Sequence, residues 1–321
     1  MKNIIIIVAG DPNSINIEII NKTWKKLDKK IRKKIYLIAN YKLVFEQFKK
    51  LNFKNKIIKL TKIDVKLDSE NLKIIDIPLI FSNPFKVPIN STSKYVLNSL
   101  NLAHKLAKKR FVKGIVNCPI DKKILKKTNK IGVTEYLASK CKVAKHSEVM
   151  MIHNDKLSVV PLTTHLKIKN ISKNINQHLI IKKITTLNND FFKFFKKKPK
   201  IGVLGLNPHN AELSNDSEEI QKIIPAISIL KKKGFKITGP LVADTLFINN
   251  YKNYDVIVGM YHDQVLGPFK TLFHFNAINL TLGLDYVRVS PDHGPAIDLM
   301  GKNKANYVSL LKCVKFINNL N

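Results

Sequence analysis

Short runs of β-branched and other apolar residues recur along the chain, and Gly, Pro or Asp bounds most of them. Runs that are apolar throughout are typical of strands buried on both faces of a sheet. We therefore predict strands at these segments. They are Ile4–Ala9, Ile35–Ile38, Gly114–Val116, Ser158–Leu162, Ile201–Leu204, Val256–Val258 and Ala277–Leu280.

Longer segments between these runs carry apolar residues at helical spacing, as in Ser93–Lys109 and Glu218–Lys232. Strands that alternate with helices predict an α/β architecture with a mostly parallel sheet. The lysine runs Lys196–Lys198 and Lys231–Lys233 precede a strand or a turn. We interpret both as solvated helix ends, where cations offset the helix dipole.

The chain has 321 residues, of which 45% are hydrophobic and 25% are charged. Both fractions are close to the averages of globular proteins, which argues against a disordered or fibrous class. Because a domain usually has about 100–200 residues, this length predicts two domains with room for a cleft.

The formal net charge of +33 would suit a protein that binds nucleic acid or an anionic membrane. Only Arg32, Arg110 and Arg288 among the 56 basic residues are arginine. Arginine is the side chain best suited to bidentate contacts with phosphate and bases. The dispersed lysines, accompanied by many Asn and Ile residues, are typical of drift toward A+T-rich codons. We therefore predict no specific nucleic-acid function and regard polyanion affinity as a by-product.

No stretch of the sequence approaches the ~20 apolar residues that span a bilayer. The apolar run Ile4–Ala9 is shorter than the core of a secretory signal, which has about 7–15 residues. Cys118, Cys141 and Cys313 are odd in number and lack C-x-x-C spacing, which argues against a disulfide framework or a cysteine metal site. We expect a cytoplasmic protein without a membrane partner.

Three histidines each follow a predicted strand: His165, His209 and His262. In a parallel α/β sheet, strand ends converge on the crevice where ligands bind. Three imidazoles there would hold one divalent cation and leave a position open for substrate, with Asp263 orienting a ligand ring. The alternative for each histidine is a hydrogen-bonded structural role.

The predicted strand that ends near Gly205 runs into a polar segment, Ser214–Glu219, before the next predicted helix. Such a loop is a place where cofactor phosphates or ribose bind. The chain has no G-x-G-x-x-G motif, so a Rossmann site is not supported. Gly10-Asp11-Pro12 is either a ligand loop or a plain turn.

In the C-terminal third, Lys270, Asn279 and Arg288 flank a strand-like run. An arginine in a chain that otherwise relies on lysine points to bidentate recognition of a phosphate or carboxylate. A surface ion pair is the alternative.

Short motifs occur in a fixed order along the chain: Gly10–Pro12, Thr134–Leu137, Thr163–His165, Gly205–His209, Gly239–Pro240, Ala243–Thr245, Tyr261–Gln264, Asn279, Thr281–Leu284 and Asp292–Gly294. Taken together, they resemble the 4-hydroxythreonine-4-phosphate dehydrogenase family over nearly the whole chain.

The resemblance implies a homodimer of two-lobed α/β/α subunits, similar to the isocitrate and isopropylmalate dehydrogenases, with the active site in a cleft near the dimer interface. The lobes would comprise residues 1–130 with 300–321, and residues 131–299. The implied reaction is the NAD-dependent oxidation and decarboxylation of 4-phosphohydroxy-L-threonine to 3-amino-2-oxopropyl phosphate in vitamin B6 synthesis. NADP is an alternative to NAD.

The resemblance also implies a role for each matching residue. His165, His209 and His262 would bind one zinc, magnesium or cobalt ion, with one histidine coming from the partner subunit. The other residues would bind substrate, act in catalysis or bind the cofactor. The substrate residues would be Thr134, Lys270, Asn279 and Arg288, the catalytic residues Lys270, Asp244 and Asp263, and the cofactor residues Asn207 and Glu212.

Two departures from the family pattern affect these expectations. Val133 replaces a histidine that would contact phosphate, and its loss would cost about 1.5–3 kcal/mol of binding. The segments Asn210–Ser214 and Asn13–Asn16 are poor in glycine where the family favours it. Side chains there would crowd a loop that needs positive φ, which weakens the prediction of NAD binding.

Two alternatives remain. One is a dehydrogenase of the same family that acts on threonate or erythronate 4-phosphate. The other is a catalytically weakened homologue with affinity for polyanions, motivated by the charge and the altered loops.

Overall fold

The structure is a computed structural model that describes residues 3–64, 67, 70–121, 123–125, 132–143 and 147–320. Its strands, in chain order, are β1 (Ile4–Val8), β2 (Ile35–Ala39), β3 (Ile57–Leu60), β4 (Leu72–Asp76), β5 (Val112–Asn117), β6 (Val149–His153), β7 (Ser158–Thr163), β8 (Ile201–Leu204), β9 (Ile237–Leu241), β10 (Val256–Tyr261), β11 (Ile278–Leu282) and β12 (Arg288–Pro291). Its helices are α1 (Asn16–Lys26), α2 (Lys29–Arg32), α3 (Tyr41–Lys50), α4 (Ile89–Ala107), α5 (Val133–Lys140), α6 (Ile171–Asn174), α7 (Gln177–Phe195), α8 (Ile224–Lys232), α9 (Ala243–Leu246), α10 (His262–Phe273) and α11 (Val308–Asn319).

The chain divides into two compact units, one of residues 1–141 and 284–321 and the other of residues 142–283. We call them the first and the second unit. The boundary that the sequence predicts at residues 130 and 131 lies outside the described residues.

The first unit contains a sheet with the strand order β3-β4-β2-β1-β5-β12, in which the described pairings are parallel. Every residue of β1 and β2 is buried. Uniformly apolar strands are what a parallel sheet covered on both faces requires. Asn40 caps α3 by accepting a hydrogen bond from the Leu43 amide at 2.9 Å, so this helix starts directly after β2.

The second unit contains a sheet with the strand order β11-β6-β7-β10-β8-β9. The pairs of β6 with β11 and with β7 are antiparallel, whereas β7, β10, β8 and β9 run parallel. The core beneath this sheet includes Val159, Leu204, Ile257 and Phe269. Helix α7 begins at the side-chain cap of Asn176, which accepts from the Leu179 amide.

The predicted α/β class with a mostly parallel sheet is confirmed, and each predicted strand overlaps an observed one. Five observed strands, β3, β4, β6, β9 and β12, were not predicted. Two of them contain features that weaken an apolar pattern: a lysine in β4 and a Gly-Pro pair in β9. Lys73 of β4 is fully buried, donates to the Lys33 carbonyl and lies 4.5 Å from the Tyr36 ring centroid.

The two predicted helices are observed with shifted boundaries, at α4 and α8. A π-helical turn, Glu219–Ile223, precedes α8. The lysine runs lie at the ends of α7 and α8 and are exposed, as predicted. Cys118, Cys141 and Cys313 are free and buried. Among the described helices, none is both long and apolar enough to cross a bilayer.

Candidate functional site

The three histidines follow three neighbouring parallel strands of the second unit, as the sequence predicts. His165 lies two residues beyond β7, His262 begins α10 directly after β10, and His209 lies five residues beyond β8. These strands are adjacent in the order β7-β10-β8, so their carboxyl ends lie side by side.

His165 and His262 form a pair. Their ring centroids are 5.9 Å apart and their planes are inclined by 35°. His165 has a left-handed backbone, with φ of 53°. Two imidazoles bound to one tetrahedral ion have ring centroids roughly 5 Å apart, so the separation of this pair is close to that of two rings on one cation.

Asp263 contacts the His262 ring on the side that a metal would leave free. The distance from His262 Nδ1 to Asp263 Oδ1 is 2.9 Å. A carboxylate at Nδ1 favours the tautomer that carries its proton on that nitrogen, so the lone pair of Nε2 remains available for a cation. The contact fits the orienting role predicted for Asp263, and that role stays a prediction.

His209 lies in a different environment, with 67% of its side chain exposed. Its Nδ1 is 3.5 Å from Glu212 Oε1 and its Nε2 is 3.7 Å from Asp244 Oδ2. In the described part of the chain, no group of three or more His, Cys, Asp or Glu side chains is arranged to hold a metal. A single chain therefore brings together two of the three predicted ligands.

The loop that carries His209 has an unusual backbone. Residues His209, Asn210, Ala211, Glu212 and Leu213 all have φ between 47° and 58°. The left-handed conformation costs a residue with a Cβ about 1–2 kcal/mol, so the loop stores strain. The sequence analysis expects side chains at positive φ in two glycine-poor segments. The structure has positive φ at Asn210–Leu213 but not at Ser214 or in Asn13–Asn16.

Asn207 begins this loop, and its side-chain nitrogen is already engaged. Asn207 Nδ2 donates to Glu218 Oε2 and to Glu219 Oε2, both at 2.9 Å. Only the side-chain oxygen of Asn207 would be able to contact a cofactor in this arrangement. Glu212, in contrast, exposes 83% of its side chain.

The second unit also contains two of the predicted substrate residues. Asn279 lies within β11, and its side-chain oxygen is buried without a hydrogen-bond partner among the described residues. Such an atom is costly unless a ligand donates to it. Lys270 lies on α10, with Nζ 4.9 Å from the centroid of Phe275.

Arg288 of the first unit is buried, with 4% exposed, so the alternative of a surface ion pair is excluded. Its Nε donates to Asn117 Oδ1 and its Nη1 to Thr134 Oγ1, the latter at 3.2 Å. Burial lowers the pKa of Arg288 to about 10, which leaves the guanidinium charged at neutral pH. Thr134 follows Val133, the first residue of α5, so the structure joins two predicted substrate residues.

The loop after β1 in the first unit contains a further titratable group, the Asp11 carboxyl. Gly10 has φ of 75°, and a Cβ there would stand 2.6 Å from the Pro119 carbonyl oxygen. Asp11 is buried and accepts from the amides of Asn13 at 2.9 Å and Asp121 at 3.4 Å. Burial raises the pKa of Asp11 to about 6. In the sequence, Asp11 is a carboxylate two residues beyond the predicted strand Ile4–Ala9.

Comparisons with known proteins agree with the resemblance. The family model of pyridoxal phosphate biosynthetic protein PdxA matches residues 28–317. A 4-hydroxythreonine-4-phosphate dehydrogenase of Aquifex aeolicus is 38% identical over 98% of this chain and 97% of its own. A protein of Oceanobacillus iheyensis, provisionally named D-threonate 4-phosphate dehydrogenase, is 33% identical over 98% of this chain and 96% of its own.

A crystal structure of 4-hydroxythreonine-4-phosphate dehydrogenase from Klebsiella pneumoniae has the same fold. Its TM-score is 0.83 and its identity 27%, and the match covers 99% of this chain and 97% of that one.

Proposed function

Because this chain belongs to the family of pyridoxal phosphate biosynthetic protein PdxA, we propose that it oxidises 4-phosphohydroxy-L-threonine with NAD. The C3 hydroxyl would become a ketone as the hydrogen on C3 passes to NAD as hydride and the hydroxyl loses its proton. The carboxylate would then leave as CO2, and a proton would be added at C2. The products are 3-amino-2-oxopropyl phosphate and NADH. The observation that carries the proposal is the pair of imidazoles of His165 and His262 at adjacent strand ends, with the Asp263 carboxylate in contact with the His262 ring.

The imidazole donors of this pair suit zinc or a divalent transition metal, with water completing the shell, whereas magnesium is usually bound through oxygen. His165 and His262 would hold the ion, and Asp263 would keep Nε2 of His262 directed at it. The ion would supply a Lewis acid that eases loss of the hydroxyl proton and stabilises negative charge on the same oxygen. His209 would complete the set from a second copy in a homodimer, because its own chain leaves it outside the pair.

Arg288 and Thr134 would bind the phosphate or carboxylate of the substrate in the first unit. The guanidinium is fixed by Asn117 and Thr134, so little side-chain entropy is lost when an anion binds. The absence of the family's histidine at Val133 would leave this binding weaker by one hydrogen bond.

Lys270 and Asn279 would contact the substrate in the second unit. The Lys270 ammonium would neutralise developing oxyanion charge or relay a proton. Asn279 Oδ1 would accept a hydrogen bond from the substrate, which would satisfy an atom that is otherwise buried without a partner among the described residues. Asp244, 3.7 Å from His209, would orient that ring or take up a proton.

The dinucleotide would bind at the loop after β8. Glu212 exposes a carboxylate that is suited to accept hydrogen bonds from ribose hydroxyls. Asn207 would contribute its side-chain oxygen, because its nitrogen already donates to Glu218 and Glu219. The protein's task is then to align the reacting carbon with the nicotinamide.

The test is NADH formation by purified protein that has been stripped of metal and resupplied with Zn²⁺, Mg²⁺ or Co²⁺. We expect NADH from 4-phosphohydroxy-L-threonine only with metal, and none from the His262→Ala variant. The D-threonate relative motivates a second candidate substrate class, the four-carbon sugar-acid phosphates. NADH from threonate or erythronate 4-phosphate alone would replace the proposed substrate, and no turnover of either would contradict the function.

A further inference from the structure

Two hydrogen-bonded side chains connect the ends of β7, β10 and β8 in sequence. Thr163 Oγ1, at the end of β7, donates to the Met260 carbonyl of β10 at 2.7 Å. Gln264, in the first turn of α10, accepts from the Met260 amide at 2.7 Å and donates from Nε2 to the Gly205 carbonyl at 2.8 Å. One amide side chain thus joins the strand before His262 to the segment that leads to His209.

Glu219 extends this connection into the His209 loop. Its Oε1 accepts from the backbone amides of Leu206 at 2.7 Å and Asn207 at 2.9 Å, and its Oε2 accepts from Asn207 Nδ2. Glu219 is fully buried and begins the π-helical turn before α8. A buried carboxylate with three donors fixes the backbone strongly, because charge-assisted hydrogen bonds are about twice as strong as neutral ones.

Two glycines permit these close approaches. A Cβ on Gly205 would stand 2.9 Å from Glu219 Oε1, and a Cβ on Gly259 would stand 2.9 Å from Gln264 Oε1. Real Cβ atoms essentially never approach other atoms that closely unless something shifts. Because positions 205 and 259 are glycine, the side-chain oxygens of Glu219 and Gln264 have room to approach the backbone at these strand ends.

We propose that Thr163, Gln264 and Glu219 are positioning residues that hold the three histidine-bearing strand ends in one fixed register for metal binding. The proposal rests on the proposed function, since it assumes that the histidines bind a cation. In a symmetric dimer, each metal site would take His165 and His262 from one subunit and His209 from the other. The placement of the His209 loop relative to the His165 and His262 pair within each chain therefore sets whether both metal sites form. The three residues act through the backbone and do not themselves ligate the ion.

The decisive experiment measures Co²⁺ alone, added to the full-length metal-free protein, by calorimetry and by the visible absorption of bound Co²⁺. The main variant is Gln264→Leu, which removes both hydrogen bonds, and Gln264→Glu retains only the acceptor. Gln221→Leu is the matched control, because Gln221 is exposed and its side chain donates to the Asn215 carbonyl of the preceding loop. His262→Ala marks loss of a proposed ligand.

We expect Gln264→Leu to weaken Co²⁺ binding by about 10- to 100-fold and to change the Co²⁺ absorption bands, as residues behind metal ligands do. Gln264→Glu should lie between this variant and the wild type, and Gln221→Leu should match the wild type. A purely structural role for Gln264 would lower the thermal midpoint but leave the Co²⁺ spectrum unchanged. If Gln264→Leu does not fold, Thr163→Val removes a single hydrogen bond and should give a smaller change in the same direction.

Wild-type affinity and spectrum in Gln264→Leu, or in Thr163→Val where that variant is needed, would overturn the positioning role while leaving the proposed function intact. Wild-type protein that binds no Co²⁺ in a His262-dependent manner would overturn the metal site of the proposed function, and the positioning role with it.

Discussion

Gly205 and Asn210 lie so close together that a Cβ on Gly205 would stand 2.1 Å from Asn210 Oδ1. The contact joins the end of β8 to the strained loop that carries His209. Glycine at position 205 therefore allows the loop to fold back on its own strand.

Replacing Gly205 with alanine should destabilise the protein. The added methyl group overpacks a buried contact, which usually costs about 1–3 kcal/mol. Urea unfolding would measure the change. Gly267→Ala is the matched control, since a Cβ there would meet nothing within 4 Å beyond its own helix backbone, and alanine in a helix gains about 0.5–1 kcal/mol over glycine. Equal stability of the two variants would contradict the proposed contact.

Ala211→Gly should stabilise the protein, although glycine usually weakens a fold. Ala211 has φ of 51°, a conformation that costs a residue with a Cβ about 1–2 kcal/mol. The flexibility that glycine adds to the unfolded chain offsets about 0.4–1 kcal/mol of this gain. We expect a higher urea midpoint with an unchanged slope. Ala103→Gly, inside α4, should instead lower the midpoint, and a lower midpoint for both variants would show that position 211 is not strained.

Folding stability should depend on pH through Asp11. Burial raises its pKa to about 6 from an ordinary value near 3.8, so the folded state binds this proton more tightly than the unfolded chain does. The resulting stabilisation is fully present below about pH 4 and is lost as pH rises through about 6. Asp121 is the neighbouring carboxylate that adds to the effect.

The Asp11→Asn variant should lack this titration. Relative to the variant, the wild type should lose about 2–3 kcal/mol of unfolding free energy between about pH 4 and pH 7. Urea unfolding at several pH values would measure the difference. Parallel pH profiles of wild type and variant would show that Asp11 titrates alike in the folded and unfolded states.

Thr134→Val should weaken substrate binding with little effect on the chemical step. The change removes a hydroxyl 3.2 Å from Arg288 Nη1 and retains the shape of the side chain. The hydrogen bond proposed between the Thr134 hydroxyl and the charged phosphate or carboxylate of the substrate would contribute about 1.5–3 kcal/mol. Its loss should raise KM about 10- to 100-fold while kcat changes little. Initial rates of NADH formation would measure both. Thr61→Val, at an exposed bend, is the control, and an unchanged KM in Thr134→Val would remove Thr134 from the substrate site.

The sequence alone determined the α/β class, most of the central strands and the common setting of the three histidines. These features follow from local sequence patterns. Apolar runs predict buried strands, and the residues that follow each parallel strand lie at the same edge of the sheet. Strands with a lysine or a Gly-Pro pair were missed, since their burial depends on partners such as the Lys33 carbonyl for Lys73.

Only the tertiary structure decided which residues meet. The conformation of the loops after these strands placed His262 beside His165 and left His209 apart, and the folding of the first unit brought Thr134 to Arg288 across 154 positions. In the sequence, Glu219 was only one residue of a polar segment, because its positioning role depends on a loop twelve to thirteen residues earlier folding back onto it. Such contacts follow from the packing of loops and helices against the sheet, which local hydrophobic patterns do not encode.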